Sequence, residues 1–113
     1  MHELGVVYEV VRQVTDIAQK QRLKEVASIT LQIGQISSIV PEYVEKCFPA
    51  AVDGTMMEHT ELHIEILPAN GMCKGCGKVF NVVDNKKICP GCGSNQWDLL
   101  SGQGFFIKEI QAC

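Results

Sequence analysis

Two short runs carry the strongest chemistry in the chain: Cys73-Lys74-Gly75-Cys76 and Cys89-Pro90-Gly91-Cys92. A C-x-x-C turn presents two sulfurs from one loop, and two such turns complete the four thiolates that tetrahedral Zn²⁺ takes at about 2.3 Å. A redox dithiol or an iron centre uses the same residues. Gly77 and Gly93 each follow the second cysteine of a pair, where they allow a tight turn with N–H groups towards the sulfurs, and Pro90 stiffens the second knuckle. A closed Cys₄ shell leaves no open coordination position. It therefore predicts structural zinc held by Cys73, Cys76, Cys89 and Cys92, and no reaction.

A second set of donors stands at the front. The α-amine of Met1, the amide nitrogen and imidazole of His2, and the amide or carboxylate of Glu3 can converge on one ion through adjoining five- and six-membered chelate rings. Near-planar donor sets with deprotonated amides suit Ni(II) or Cu(II), and zinc has no such preference. A histidine at position 2 is also what an ordinary terminus offers. What distinguishes this one is the helical pattern that starts at once with Leu4. Glu3 has a rival role as a partner of the helix dipole, and so has Glu42 near the second helix. His59 and His63 read as solvent-facing strand residues. Cys47 falls on an apolar helical face, and Cys113 is a terminal thiol.

Composition narrows the field. With 113 residues the chain can bury one small core, and the segment between the knuckles must rely on metal for its order. A formal net charge of −3 argues against a general nucleic-acid binder, which needs a basic patch. From Met72 to Asp98, Lys74, Lys78, Lys86 and Lys87 balance Asp84, Asp98 and the double negative charge of a Zn(Cys)₄ centre. No apolar run is long enough to span a bilayer and no signal peptide is legible, so a cytoplasmic protein without a membrane partner is expected. Cysteines in metal spacing fit a reducing compartment.

The elements that must position these groups follow from periodicity. Leu4, Val7, Tyr8, Val11, Val14 and Ala18 form a helical stripe, with Val6, Val10 and Ile17 beside it. Val26 to Ile33 alternates as a strand with Ala27, Ile29, Leu31 and Ile33 inward. Pro41 opens a second helix with Val44, Cys47, Phe48 and Ala51 inward and Pro49 inside it, and Asp53-Gly54-Thr55 closes it. Thr60 to Leu67 alternates again, with Leu62, Ile64 and Ile66 inward. Val79 to Val83 is a short strand between the knuckles, Trp97 packs on the ribbon or its junction, and Phe105 to Ile110 is the last strand.

The expected fold is α+β: a small three-stranded sheet packed with two helices, plus an inserted Cys₄ zinc ribbon. Residues 1–69 and 101–113 form the core domain and residues 70–100 the zinc-ribbon domain. If the strands flanking the ribbon pair antiparallel, the ribbon is the elaborated tip of a hairpin. Nothing in the sequence fixes its orientation.

The combination of Met1-His2-Glu3-Leu4, Leu31-Gln32-Ile33-Gly34 with Ser37, Gly54-Thr55, Leu62-His63-Ile64, the Cys73-x2-Cys76 and Cys89-Pro90-x-Cys92-Gly93-Ser94 ribbon, and Gly102-x-Gly104 with Ile107-Lys108-x-Ile110 resembles the HypA/HybF family of hydrogenase maturation factors. The resemblance covers essentially the whole chain. It implies a nickel metallochaperone that takes Ni(II) transiently at His2, with Glu3 an auxiliary ligand or a specificity residue, and keeps zinc at the four cysteines; the Met1 amine remains a donor by the count above. It also implies two partners, a HypB-type GTPase and the large subunit of [NiFe] hydrogenase, and a monomer or weak homodimer. Two stretches depart from the family pattern. Gly34-Gln35-Ile36-Ser37 stands for Gly-Glu-Leu-Ser, and Gly102-Gln103-Gly104-Phe105 for Gly-Arg-Glu-Leu. Both remove charge from a surface that partners could use.

Three function classes remain in view. A nickel carrier explains both an exchangeable front site and a closed zinc site, because a carrier must release what a structural site keeps. A zinc-ribbon adaptor or nucleic-acid module explains the cysteines alone. An enzyme finds no support, since no nucleophile and base pair or phosphate-binding loop is legible.

Overall fold

The computed structural model describes residues 3–113; Met1 and His2, named above as nickel donors, lie outside the described residues. In chain order the elements are α1 (Glu3–Gln21), β1 (Val26–Gly34), α2 (Pro41–Val52), β2 (Glu61–Leu67), β3 (Asn70–Cys73), β4 (Val79–Asn81), β5 (Trp97–Leu99) and β6 (Phe105–Ala112). They make two three-stranded sheets, ordered β2-β1-β6 and β4-β3-β5.

The first sheet is built around β1. The β1–α2–β2 stretch is a crossover, the connection that parallel strands require, and β2 pairs parallel to β1 from Ser28↔Glu61 to Gly34↔Leu67. β6 pairs antiparallel on the other edge of β1, with Ile33 opposite Phe105 and Ile29 opposite Ile110. The strands before and after the ribbon therefore flank β1 and do not pair with each other. The expected hairpin is corrected: β2 holds one edge of β1, so the returning strand takes the free one. Both connections to the second sheet leave from the Gly34 end.

The two helices and the inner face of this sheet enclose one cluster that includes Val7, Val10, Val14, Ile29, Leu31, Ile33, Val44, Phe48 and Met57. Helical periodicity places Val10, Val14 and Val7 on the centre of the buried arc of α1, with Val6 and Ala18 at its two edges. Leu4 and Tyr8, assigned to the stripe by spacing, lie at its margin and are 44% and 54% exposed. Ala27 is exposed and Val26 buried, the reverse of simple alternation. The cause is an irregularity between Val26 and Ser28 against β6, which advances the strand by one residue and swaps faces. Ile66, on edge strand β2, is also exposed, although its neighbour Ile33 on the central strand is fully buried. α2 continues through Pro49. Met57, which periodicity did not single out, is fully buried, carried inward by a turn in which the Thr55 hydroxyl accepts the Met57 N–H at 3.1 Å and donates to Val52 O at 2.6 Å.

α1 spans about 28 Å and β1 about 30 Å, and only residues 22–25 separate them. The chain thus reverses, and Glu3 returns to the end of the sheet where Gly34 stands. A second apolar cluster, Ala69, Cys73, Phe80, Val82 and Cys89 with Trp97 and Leu99 against it, belongs to the smaller sheet. The radius of gyration is 17.5 Å, where a single compact body of this length would have about 13 Å. The two clusters lie end to end and do not merge.

Candidate metal centre

Cys73 is the last residue of β3, and the chain turns through Lys74 to Gly77 before β4 begins at Val79. The second turn runs from Cys89 to Gly93, ahead of β5. The two knuckles are near copies in their hydrogen bonds. Gly77 N–H donates to Cys73 O and Gly93 N–H to Cys89 O, each at 2.9 Å. Cys73 N–H donates to Lys78 O and Cys89 N–H to Ser94 O, again at 2.9 Å. Gly77 and Gly93 have φ of +75° and +76°, a left-handed conformation that side chains with a Cβ adopt at a cost. Their role is this turn. The N–H groups that reach sulfur come from inside the knuckles: Gly75 and Cys76 onto Cys73 Sγ at 3.3 and 3.5 Å, and Gly91 onto Cys89 Sγ at 3.4 Å.

All four sulfurs lie within 4.8 Å of one another. Cys73 and Cys92 are 3.5 Å apart and Cys76 and Cys89 3.6 Å, against about 3.8 Å for the edge of a zinc–thiolate tetrahedron with 2.3 Å bonds. Cys73 and Cys89 are buried, whereas Cys76 and Cys92 are exposed. The Phe80 and Trp97 rings meet edge to face at 6.4 Å beneath the cluster, and Trp97 Nε1–H is tied to Lys87 O at 3.0 Å.

The acidities of the sulfurs diverge. The Cys76 N–H above all, aided by Gly75 N–H and the sulfurs of Cys92 and Cys76, pulls Cys73 down to about 6 against its burial. Burial is the largest influence on Cys89 and opposes its ionisation, yet the N–H groups of Cys92 and Gly91 and the Cys76 sulfur together lower it. Cys92 is helped most by the Ser94 N–H, but Cys73, burial, Cys76 and Cys89 jointly push it up to about 12. Crowded sulfurs cannot all become thiolates on their own. A divalent cation removes that conflict, so the donor set, its spacing and its N–H bonds fit resident zinc. No other group of three or more metal-binding side chains gathers among the described residues.

The family model described as hydrogenase/urease nickel incorporation, metallochaperone, hypA matches residues 1–112. The chain belongs to the HypA family. It is 36% identical over 110 residues to hydrogenase maturation factor HypA of Prosthecochloris aestuarii, covering 97% of each chain. It is 37% identical over 110 residues to that of Geotalea daltonii, again with 97% of each covered. The fold matches a solution structure of the Ni metallochaperone HypA from Helicobacter pylori with a TM-score of 0.72 at 20% identity, covering 99% of this chain and 97% of that one. In this chain the quartet stands in an α+β protein with two helices and small sheets.

Of the expected site residues, the structure brings the four cysteines together. It places Glu3 at the first position of α1, where a carboxylate faces the N–H-rich end of the helix. His59 and His63 are exposed, and His63 Nε2 lies 3.4 Å from Glu61 on the same strand. What spacing alone missed is the set of N–H donors from Gly75, Cys76 and Gly91, whose residues were legible in both C-x-G-C runs.

Proposed function

We propose that the chain is a nickel metallochaperone of hydrogenase maturation that takes Ni(II) as cargo at Met1, His2 and Glu3 and keeps zinc at Cys73, Cys76, Cys89 and Cys92. The observation that carries the reading is the family match from residue 1 to 112, which spans the front tripeptide and the ribbon together. The α-amine, the His2 amide and the imidazole supply three nitrogen donors, and Glu3 supplies the fourth or biases the choice of ion. Residues 1–69 and 101–113 act as the nickel-binding core and residues 70–100 as a zinc-ribbon domain. The protein works without catalytic turnover, in the cytoplasm, handing nickel on with a HypB-type GTPase to the large subunit of [NiFe] hydrogenase. It does so as a monomer or weak homodimer. Among the described residues no helix is long and apolar enough to cross a membrane.

Calorimetric titration of untagged, zinc-loaded protein with Ni(II) tests this. One ion per chain is expected, with the absorption of a square-planar site. His2→Ala, or residues added before Met1, should remove that binding. Unchanged Ni(II) affinity in either variant overturns the assignment, and a zinc-loaded chain that binds no nickel at all would be an adaptor.

A further inference from the structure

We propose that Gln35 is a latch that sets the orientation of the zinc ribbon against the core, working through hydrogen-bond acceptance and not through charge. The inference stands whether or not the amino terminus ligates nickel.

The ribbon is attached at one place. Gly34, the last residue of β1, is flanked by Leu67 of β2, and its N–H donates to Gly104 O at 2.8 Å. The next two N–H groups continue the grip: Gln35 donates to Leu67 O at 2.9 Å and Ile36 to Gly102 O at 3.0 Å. The backbones approach so closely that a Cβ on Gly34 would stand 2.1 Å from Gly102 O. One on Gly102, whose φ is +104°, would stand 2.4 Å from Ala69 Cα. These contacts hold both connecting segments to the core, but they stop short of the ribbon sheet.

The Gln35 side chain goes further. Its Oε1 accepts the Ala69 N–H at 2.9 Å and the Asn81 Nδ2–H at 3.1 Å. Ala69 is fully buried, and its carbonyl accepts the Val82 N–H at 2.9 Å. Asn81 Oδ1 accepts the N–H groups of Val83 at 3.0 Å and Asp84 at 2.9 Å, where the chain turns towards the second knuckle. One oxygen thus joins the end of β1, the entry segment and the ribbon turn. The orientation of both amides follows from chemistry: a backbone N–H needs an acceptor, so Oε1 faces Ala69, and Asn81 Oδ1 is already taken by two donors. Gln35 Nε2 has no part in the latch. A carboxylate at position 35 would accept the same two bonds, whereas an apolar side chain of equal length would leave the buried Ala69 N–H without a partner. The departure from a Gly-Glu pattern at Gly34-Gln35 therefore keeps the acceptor chemistry.

The test uses the full-length, zinc-loaded chain with Gln35→Met and Gln35→Glu. Amide exchange and ¹⁵N relaxation are read residue by residue. In Gln35→Met the Ala69 amide should exchange roughly tenfold faster or more. Amides of residues 70–100 should then align and tumble differently from those of β1 and β6, with zinc content unchanged. Gln35→Glu should match the parent in both readings. Unchanged Ala69 exchange and a single alignment tensor in Gln35→Met overturn the proposal, as does a Gln35→Glu that behaves like Gln35→Met. If Gln35→Met fails to fold, Asn81→Asp replaces it. That change preserves the Oδ1 acceptor of the turn and removes only the donor to Gln35, so independent tumbling of the ribbon is expected, and its absence counts against the latch.

Discussion

The core and the ribbon are each organised around a three-stranded sheet, yet they are held by different forces. Among the described residues, fourteen make the buried cluster of the core, all of them carbon-rich side chains: twelve on the two helices and the sheet, and Ile39 and Met57 from the segments that flank α2. Five make that of the ribbon, and two of these, Cys73 and Cys89, are metal-site sulfurs. Strands β3, β4 and β5 span four, three and three residues, too short to bury an apolar face without help. Burial can order the first body and cannot order the second. The lesson is that removing a metal and removing a methyl group should damage opposite ends of one chain.

The largest separation should come from the metal. Structural zinc contributes on the order of 10 kcal/mol or more to small cysteine-ligated folds, which exceeds anything the ribbon buries. Stripping zinc with a chelator, or replacing Cys89 with Ser, should release residues 70–100 from their fixed structure and leave β1, β2 and β6 paired. Trp97 is the only tryptophan of the chain and sits in the ribbon, so its fluorescence reports this loss directly. Amide signals of residues 26–34 should stay dispersed. A chain that loses both regions together would show that the core leans on the ribbon.

The reverse experiment is smaller in energy. Leu31 is 1% exposed at the centre of β1. Leu31→Ala should lower the unfolding free energy by about 2–5 kcal/mol, read by urea titration of far-ultraviolet circular dichroism. Zinc stoichiometry should not change, because the knuckles draw nothing from that strand. Loss of zinc from Leu31→Ala would join the two bodies into one cooperative unit.

The sequence made the ribbon more legible than the core. Cysteine spacing encodes a tetrahedron almost without reference to the rest of the chain, so the four sulfurs that the fold gathers could be named from two short runs. The helices were legible as elements, but which edge of α1 is buried depends on where α2 and the sheet lie, and Leu4 and Tyr8 fell on the wrong side. β1 showed its alternation, yet an irregularity near Ala27 moved its first residues to the other face. Strand order was the largest omission. The strand–helix–strand pattern already implied parallel pairing of β1 and β2, which leaves the opposite edge of β1 for β6. Gln35 was unreadable as a latch, because its partners Ala69 and Asn81 are far away in sequence and meet it only in the fold.

The smallest effect should belong to the surface charges that lace the core sheet. Lys108 Nζ on β6 donates to Glu65 Oε1 and Oε2 on β2 at 3.0 and 3.1 Å, reaching across the central strand β1. The Lys108 hydrogen bond, ahead of its charge and a bond from Gln32, holds the Glu65 carboxyl below its ordinary range against some desolvation. A carboxylate with a lowered folded pKa stabilises the fold above its ordinary value and loses that contribution as pH falls through the lowered one. Glu65→Gln should therefore reduce the melting temperature slightly at pH 7. The difference should shrink with added salt and vanish in acid, where both chains carry a neutral side chain at this position. Both partners are about half exposed, so water competes for each of them. If Glu65→Gln instead cost as much as Leu31→Ala, or its cost persisted in acid, burial would not be what holds the core, and the contrast with the metal-held ribbon would fail.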